Sequence, residues 1–169
     1  TNAIMLKNRR IGLSQSGVIQ AFNKHGRREM LEWCDKAYDY VQQIDKEFSD
    51  WLCVPRSKRT TSIKPSGTVS LLNGSTPGIH YPEAEYYIRR IRFSIGNSIL
   101  RAIEEAGYHI EKDAYSPNTM VASFPVHEPY FQKGKYEASM WEQLEIAAAY
   151  QHYWADNSVS VTVTFKADE

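Results

Sequence analysis

Between residues 27 and 52, apolar positions recur at spacings that alternate between four and three: Met30, Cys34, Ala37, Val41, Ile44, Phe48 and Trp51. That period puts one stripe along one side of a helix, and Pro55 is expected to end it. Just before it, LSQSGVIQAF offers Ser14 or Ser16 as the N-cap of a shorter helix, which Gly26 closes. TTSIK is short and β-branched and predicts a strand that leads into Pro65. EYYIRRIRFS predicts another, with Tyr87, Arg89, Ile91 and Phe93 on one side and Tyr86, Ile88, Arg90 and Arg92 on the other. NSILRAIEEAG reads as a short helix from an Asn or Ser cap to Gly107, and TMVASFPV as a strand limited by Pro125. YEASMWEQLEIAAAYQHYWA predicts a second long helix, its buried side carried by Met140, Leu144, Ala147 and Trp154 or their neighbours. The last run alternates cleanly, with Val159, Val161, Val163 and Phe165 facing one way and Ser158, Ser160, Thr162 and Thr164 the other.

Long helices alternating with strands indicate an α/β fold with helices packed outside the strands. A strand with one aliphatic and one hydroxyl-bearing face suits a barrel wall, aliphatic toward the helices and polar toward a lumen. At 169 residues the chain is expected to form a single unit spanning 1–169. Loops are expected at KDAYSPN and EPYFQKGK.

Composition narrows the function classes. Hydrophobic content of 42% beside 24% charge is that of a soluble globular protein. Twenty basic and twenty acidic residues cancel, so no net field draws the chain to nucleic acid or to an anionic membrane. Any anion must be held locally. Cys34 and Cys53 form no CxxC pair and have no nearby histidine, so neither a disulfide framework nor a zinc site is expected and a cytoplasmic setting is. Cys34 lies within the apolar stripe and reads as a core residue; Cys53, beside Trp51 and Leu52, reads as structural too. The opening TNAIMLKNRR has no initiator Met and no signal-like apolar run, and the chain stops just after a patterned strand. A fragment of a longer polypeptide is the expectation.

The candidate chemistry lies in IKPSGTVSLL. Pro65 fixes the backbone as the chain leaves a strand, Gly67 permits close approach, and Ser66, Thr68 and Ser70 offer hydroxyls. If VSLL is the first turn of a helix, its outward amides can hold a phosphate without net protein charge. The same residues also suit an ordinary capped strand-to-helix turn. Neither a Walker A loop nor a dinucleotide fingerprint occurs. Arg89, Arg90 and Arg92 with Tyr86 and Tyr87 could form a basic aromatic patch, or could pair with Glu83 and Glu85 and snorkel past their neighbours.

Four blocks in order, NRRIGLSQSGVIQAF, TTSIKPSGTVSLLNGSTPGIHYPEAEYYIRRIRFS, MVASFPV and DNSVSVTVTF, resemble the C-terminal half of the catalytic barrel of ribonucleotide reductases. The likeness is nearest to the adenosylcobalamin-dependent class II ribonucleoside-triphosphate reductases. It implies part of a ten-stranded α/β barrel and a role in making deoxyribonucleotides by cobalamin-initiated thiyl radical chemistry. It further implies a ribonucleotide substrate, adenosylcobalamin as cofactor, and a thiol reductant such as thioredoxin as partner of the full enzyme. By the same resemblance the substrate phosphates fall to Ser66, Gly67, Thr68 and Val69, with Ser70 possible and Pro65 setting the turn. Gly78, Ile79 and His80 would lie near the barrel rim, His80 in a structural role. The family's finger-loop motif Asn-x-Cys-x-Glu is absent, and Cys34 and Cys53 match neither it nor the reducing pair. No catalytic residue and no metal ligand is therefore assigned, and the chain taken alone is expected to be inactive. Two other readings remain: a non-catalytic phosphate-binding module, and a reductase of a sister class with an iron or glycyl radical generator.

Overall fold

The computed structural model describes residues 2–67 and 69–167, with Leu72 described in its backbone only. Where the sequence reading took 1–169 together, the contacts group the chain into two compact units. One is built from the chain up to Ala84 and from Glu128 onward, the other from Glu85–His127.

The larger unit begins with α1 (Asn2–Asn8) and β1 (Arg10–Leu13), followed by α2 (Val18–His25) and α3 (Arg27–Trp51). Next come β2 (Arg59–Thr61), a single helical turn α4 (Val69–Leu72) and, after the smaller unit, α6 (Met140–Tyr153). Its core joins Val18 and Ile19 of α2, Cys34 of α3, Ile63, Ile79, and Ile146 and Tyr150 of α6, with Trp154 and Ala155 just beyond. Each large apolar side chain sealed there contributes about 2 kcal/mol of transfer free energy.

Neither Ser14 nor Ser16 caps α2. Its N-cap is Gly17 in the left-handed region, whose amide donates to the Thr76 carbonyl at 2.8 Å. Gly26 closes α2 as expected, through its amide on the Phe22 carbonyl. α3 stops at Leu52, before Pro55, because Cys53 turns the chain at φ 53°. Its stripe is buried at Cys34 but reaches the open at Phe48 and Trp51, which is 81% exposed. Ser49 takes the buried place beside them, hydrogen-bonded by Arg9. Cys53 is exposed, contrary to a structural role.

On α6 the buried positions are Gln143, Ile146 and Tyr150, whereas Leu144 is turned partly to solvent. The run Ala147-Ala148-Ala149 carries too little side chain to mark a face, so Tyr150 sets the register. Ser139 caps the helix by accepting the Glu142 amide at 3.1 Å. The Glu142 carboxylate meanwhile takes the Tyr81 hydroxyl at 2.7 Å and the Lys133 ammonium at 2.6 Å.

β1 and β2 pair in parallel, Arg10 opposite Arg59 and Leu13 opposite Thr61. The far side of β2 is closed by side chains. The Asp156 carboxylate accepts both the Thr60 and Thr61 amides at 3.0–3.1 Å, together with the Thr60 hydroxyl. The Thr61 hydroxyl donates to the Trp154 carbonyl at 2.6 Å and accepts the Asp156 amide, while the Trp154 indole donates to the Ser62 carbonyl.

The expected C-terminal strand reduces to one parallel bridge between Ile63 and Val159. Beyond it, the amides of Thr162 and Thr164 donate to His80 Nε2 and Gln143 Oε1. The alternation is a strand pattern, but among the described residues no neighbouring strand lies there to make a ladder with it.

The smaller unit is a three-stranded antiparallel sheet of β3 (Tyr86–Ser94), β4 (His109–Lys112) and β5 (Thr119–His127), in the order β3-β5-β4, with α5 (Ile99–Glu105) between β3 and β4 in sequence. Alternation on β3 is as predicted, with Tyr87, Arg89, Ile91 and Phe93 the more buried set. Pro125 does not limit β5, which continues to His127. β4 pairs only with Met120 to Ser123, so Pro125 sits where that side of the strand has no partner for the missing N–H. Arg90 and Arg92 pair with Glu111 and Asp113, not with Glu83 or Glu85. No helix among the described residues is long and apolar enough to cross a membrane.

Two outcomes follow from these contacts. Asp156→Ala strands two buried amides and lowers unfolding stability by about 3 kcal/mol, read as an earlier denaturant midpoint at unchanged m-value. Burial alone raises the Glu142 carboxyl, but the bonds from Lys133 and Tyr81 outweigh it and hold the group below the ordinary glutamate value. Its stabilising contribution is therefore present above the unfolded glutamate pKa and is lost as pH falls through the lower folded value. Acid titration of stability detects this loss, and Glu142→Gln flattens it.

Candidate functional site

β2 delivers Thr61, Ser62 and Ile63, all sealed, to a turn that opens at Lys64 and Pro65. Two serines in the segment between β1 and α2 hold that turn. Ser14 Oγ accepts the Lys64 amide at 2.9 Å, and Ser16 Oγ lies 2.6 Å from Ser66 Oγ. Ser66 is in the left-handed region at φ 46°, a conformation that costs a residue with a Cβ about 1 kcal/mol. Its carbonyl is turned back to accept both the amide and the hydroxyl of Ser70, at 3.0 and 2.7 Å. α4 then lasts one turn before Asn73 and Gly74 reverse the chain.

Of the residues singled out in the sequence, Ser66 and Gly67 are half-buried, Val69 is exposed and Ser70 is buried. Thr68 lies outside the described residues. Ser70 directs its amide and hydroxyl into its own turn, so these two groups brace the loop from within. Lys64 extends its ammonium to 3.5 Å from Ser160 Oγ.

The two glycines nearest the turn differ in what the fold asks of them. Gly78 has φ 52°, and a Cβ there would stand 2.7 Å from the Lys64 carbonyl oxygen. Its own carbonyl accepts the Val18 amide, so it is wedged under the loop. Gly67 has no positive φ, and a Cβ there would meet nothing within 4 Å. Internal packing therefore needs a glycine at 78 and leaves open space at 67.

His80 is held at both ring nitrogens. Nε2 accepts the Thr162 amide at 3.0 Å, which leaves the proton on Nδ1 to donate to the Pro77 carbonyl at 2.9 Å. Ile79 is 4% exposed and belongs to the core. Cys34 is also sealed: burial pushes its thiol up, against weaker lowering by Tyr150 and Gln15. A thiol held in that state is no nucleophile. Among the described residues, no group of three His, Cys, Asp or Glu is placed to hold a metal ion.

No family model matches the chain. It is 45% identical over 165 residues to a probable adenosylcobalamin-dependent ribonucleoside-triphosphate reductase of Dictyostelium discoideum, covering 98% of this chain and 22% of that protein. A reductase of the same name from Euglena gracilis is 46% identical over 166 residues, covering 98% and 23%. A crystal structure of a B-12 dependent (class II) ribonucleotide reductase superposes with a TM-score of 0.85 at 31% identity, over 98% of this chain and 27% of that one. The chain is homologous to a segment of the adenosylcobalamin-dependent ribonucleoside-triphosphate reductases. It spans about a quarter of the length of these relatives.

Within this chain, the sequence pattern shows the Pro-Ser-Gly turn and not what holds it. The sequence pattern offers Ser14 and Ser16 only as helix caps. The available signal was local: they flank Gln15 at alternate positions between a strand and a glycine, an arrangement that turns both hydroxyls to one side and Gln15 to the other. Gln15 Oε1 accepts the Tyr150 hydroxyl at 3.3 Å and the Cys34 thiol at 3.7 Å. Gly78→Ala combines a disfavoured φ with a clash against backbone and is expected to cost about 2 kcal/mol or more. Thermal unfolding measures that cost, and faster hydrogen exchange at Lys64 and Val18 would localise it.

Proposed function

We propose that the intact polypeptide reduces ribonucleoside triphosphates to deoxyribonucleotides for DNA synthesis, and that this segment supplies the loop that receives the substrate phosphates. The ligand groups are the backbone from Ser66 through Gly67 and Thr68 to Val69 and the hydroxyls of Ser66 and Thr68, with Ser70 bracing the turn from inside. The observation that carries this reading is the open space over Gly67. A glycine that neither its φ nor its neighbours require, in a turn of hydroxyl-bearing residues, leaves room for a phosphate to approach the backbone. The names of the relatives, all adenosylcobalamin-dependent reductases, support this substrate class over a phosphate-binding module without chemistry and over a sister class with another radical generator.

In this reading the segment forms part of a ten-stranded α/β barrel, with α3 and α6 outside it and the hydroxyl face of residues 158–164 toward the substrate. Adenosylcobalamin, when bound, supplies the initiating radical. The residues present do not fit a role in that chemistry, since Cys34 is sealed in the core and no metal-holding cluster occurs among the described residues. The work of this chain is to bind and orient the nucleotide, and a thiol reductant such as thioredoxin would restore the full enzyme after turnover.

Substitution at Gly67 in the full-length protein tests the assignment. Gly67→Val enters a space in which a Cβ meets nothing within 4 Å, so thermal stability holds while KM for the ribonucleoside triphosphate rises about a hundredfold, the scale of one or two lost charge-assisted hydrogen bonds. An unchanged KM would remove the loop from the substrate site.

A further inference from the structure

We propose that Ser16 is a positioning residue for the phosphate loop, acting as a latch that holds Ser66 in its left-handed conformation. This inference rests on the assignment of that loop to the substrate phosphates.

Three observations converge on it. Ser66 is a non-glycine residue at φ 46°, a conformation that its own backbone disfavours. Its hydroxyl is 2.6 Å from that of Ser16, fifty residues earlier in the chain. The segment bearing Ser16 is itself tied down on either side of that hydroxyl. Ser14 takes the Lys64 amide, Gln15 takes the buried Tyr150 hydroxyl, and the Gly17 amide donates to the Thr76 carbonyl.

The strap thus grips the turn on both sides of Pro65, at Lys64 and at Ser66, and transmits the rigidity of the α3–α6 core to it. The turn of Ser66 aims its carbonyl at Ser70 and sets the direction of the amides that follow. Without the Ser16 hydroxyl, the hold at Lys64 remains but the side chain of Ser66 is released, which eases its return to negative φ and lets the following backbone swing with it. Such a loop still binds phosphate, but a smaller fraction of molecules has it in the competent conformation, which raises apparent KM by that fraction.

The test uses the full-length reductase with Ser16→Ala, Ser16→Thr, Ser66→Ala, the Ser16→Ala/Ser66→Ala pair and Gly67→Val as comparator. The expected result is a KM for ribonucleoside triphosphate about tenfold higher in Ser16→Ala at little-changed kcat and thermal midpoint, the size of one positioned hydrogen bond. Ser16→Thr restores KM because it restores the hydroxyl, and the double variant is no worse than Ser66→Ala alone. If Gly67→Val raises KM and Ser16→Ala does not, the latch is refuted while the phosphate loop stands. If neither raises KM, both fall. A Ser16→Ala protein that loses kcat and thermal midpoint together, without rescue by threonine, would reduce Ser16 to a structural role and overturn the inference.

Discussion

The larger unit depends on how the Asp156 carboxylate closes the free side of β2. Thr60, Thr61, Ser62 and Ile63 are all essentially sealed, yet three of these four carry hydroxyls and all carry a peptide group. Burying that many polar groups is costly unless they are paired; the Thr60 and Thr61 hydroxyls and amides are paired, whereas the Ser62 hydroxyl has no hydrogen-bond partner among the described residues. β1 serves one side, but no continuous strand serves the other, and Asp156, Trp154 and Asn157 take its place. An ionised acceptor bonds amides more strongly than a neutral carbonyl does, so one side chain replaces a length of ladder. The turn at Lys64 and Pro65 starts three residues beyond this clamp and inherits its fixed position.

From that anchor the site is built by opposed constraints. Gly78 lets one backbone pass directly beneath the turn, and the serines between β1 and α2 hold it from the side. Ser70 fills its interior. These contacts support the turn from beneath, beside and within, while the space that a Cβ of Gly67 would enter stays open. Rigid support around one open face is what a site needs to meet a charged ligand without first losing entropy in ordering itself.

The long helices were legible because side-chain spacing is a local property. α3 lies where its stripe predicts, and β3 keeps its alternation. Errors arose where the deciding partner is distant or absent. Phe48 and Trp51 continue the stripe of α3 and yet face solvent, because the spacing names a face without saying how far cover extends along it. Val161 to Phe165 continues a strand's pattern past the single bridge at Val159 without, among the described residues, a neighbouring strand. HIEK, as β4, is too short and too charged to be conspicuous, and Pro125 is accommodated because β4 ends before reaching it. In the candidate site, Pro-Ser-Gly was readable as a turn. The shared side of Ser14 and Ser16 is visible in the local pattern, but their partners lie fifty residues away and are not. The likeness of the four blocks to the reductases supports the proposed substrate further than any single motif does.

The uncovered end of α3 has a practical consequence. Phe48 and Trp51 meet edge to face at 6.0 Å with their rings largely in water, and Leu52 and the free thiol of Cys53 lie beside them. A greasy knob next to an oxidisable sulfur favours self-association and then intermolecular cross-linking. Preparations of this stretch by itself will therefore behave colloidally, their apparent size set by concentration and by the freshness of the reducing agent.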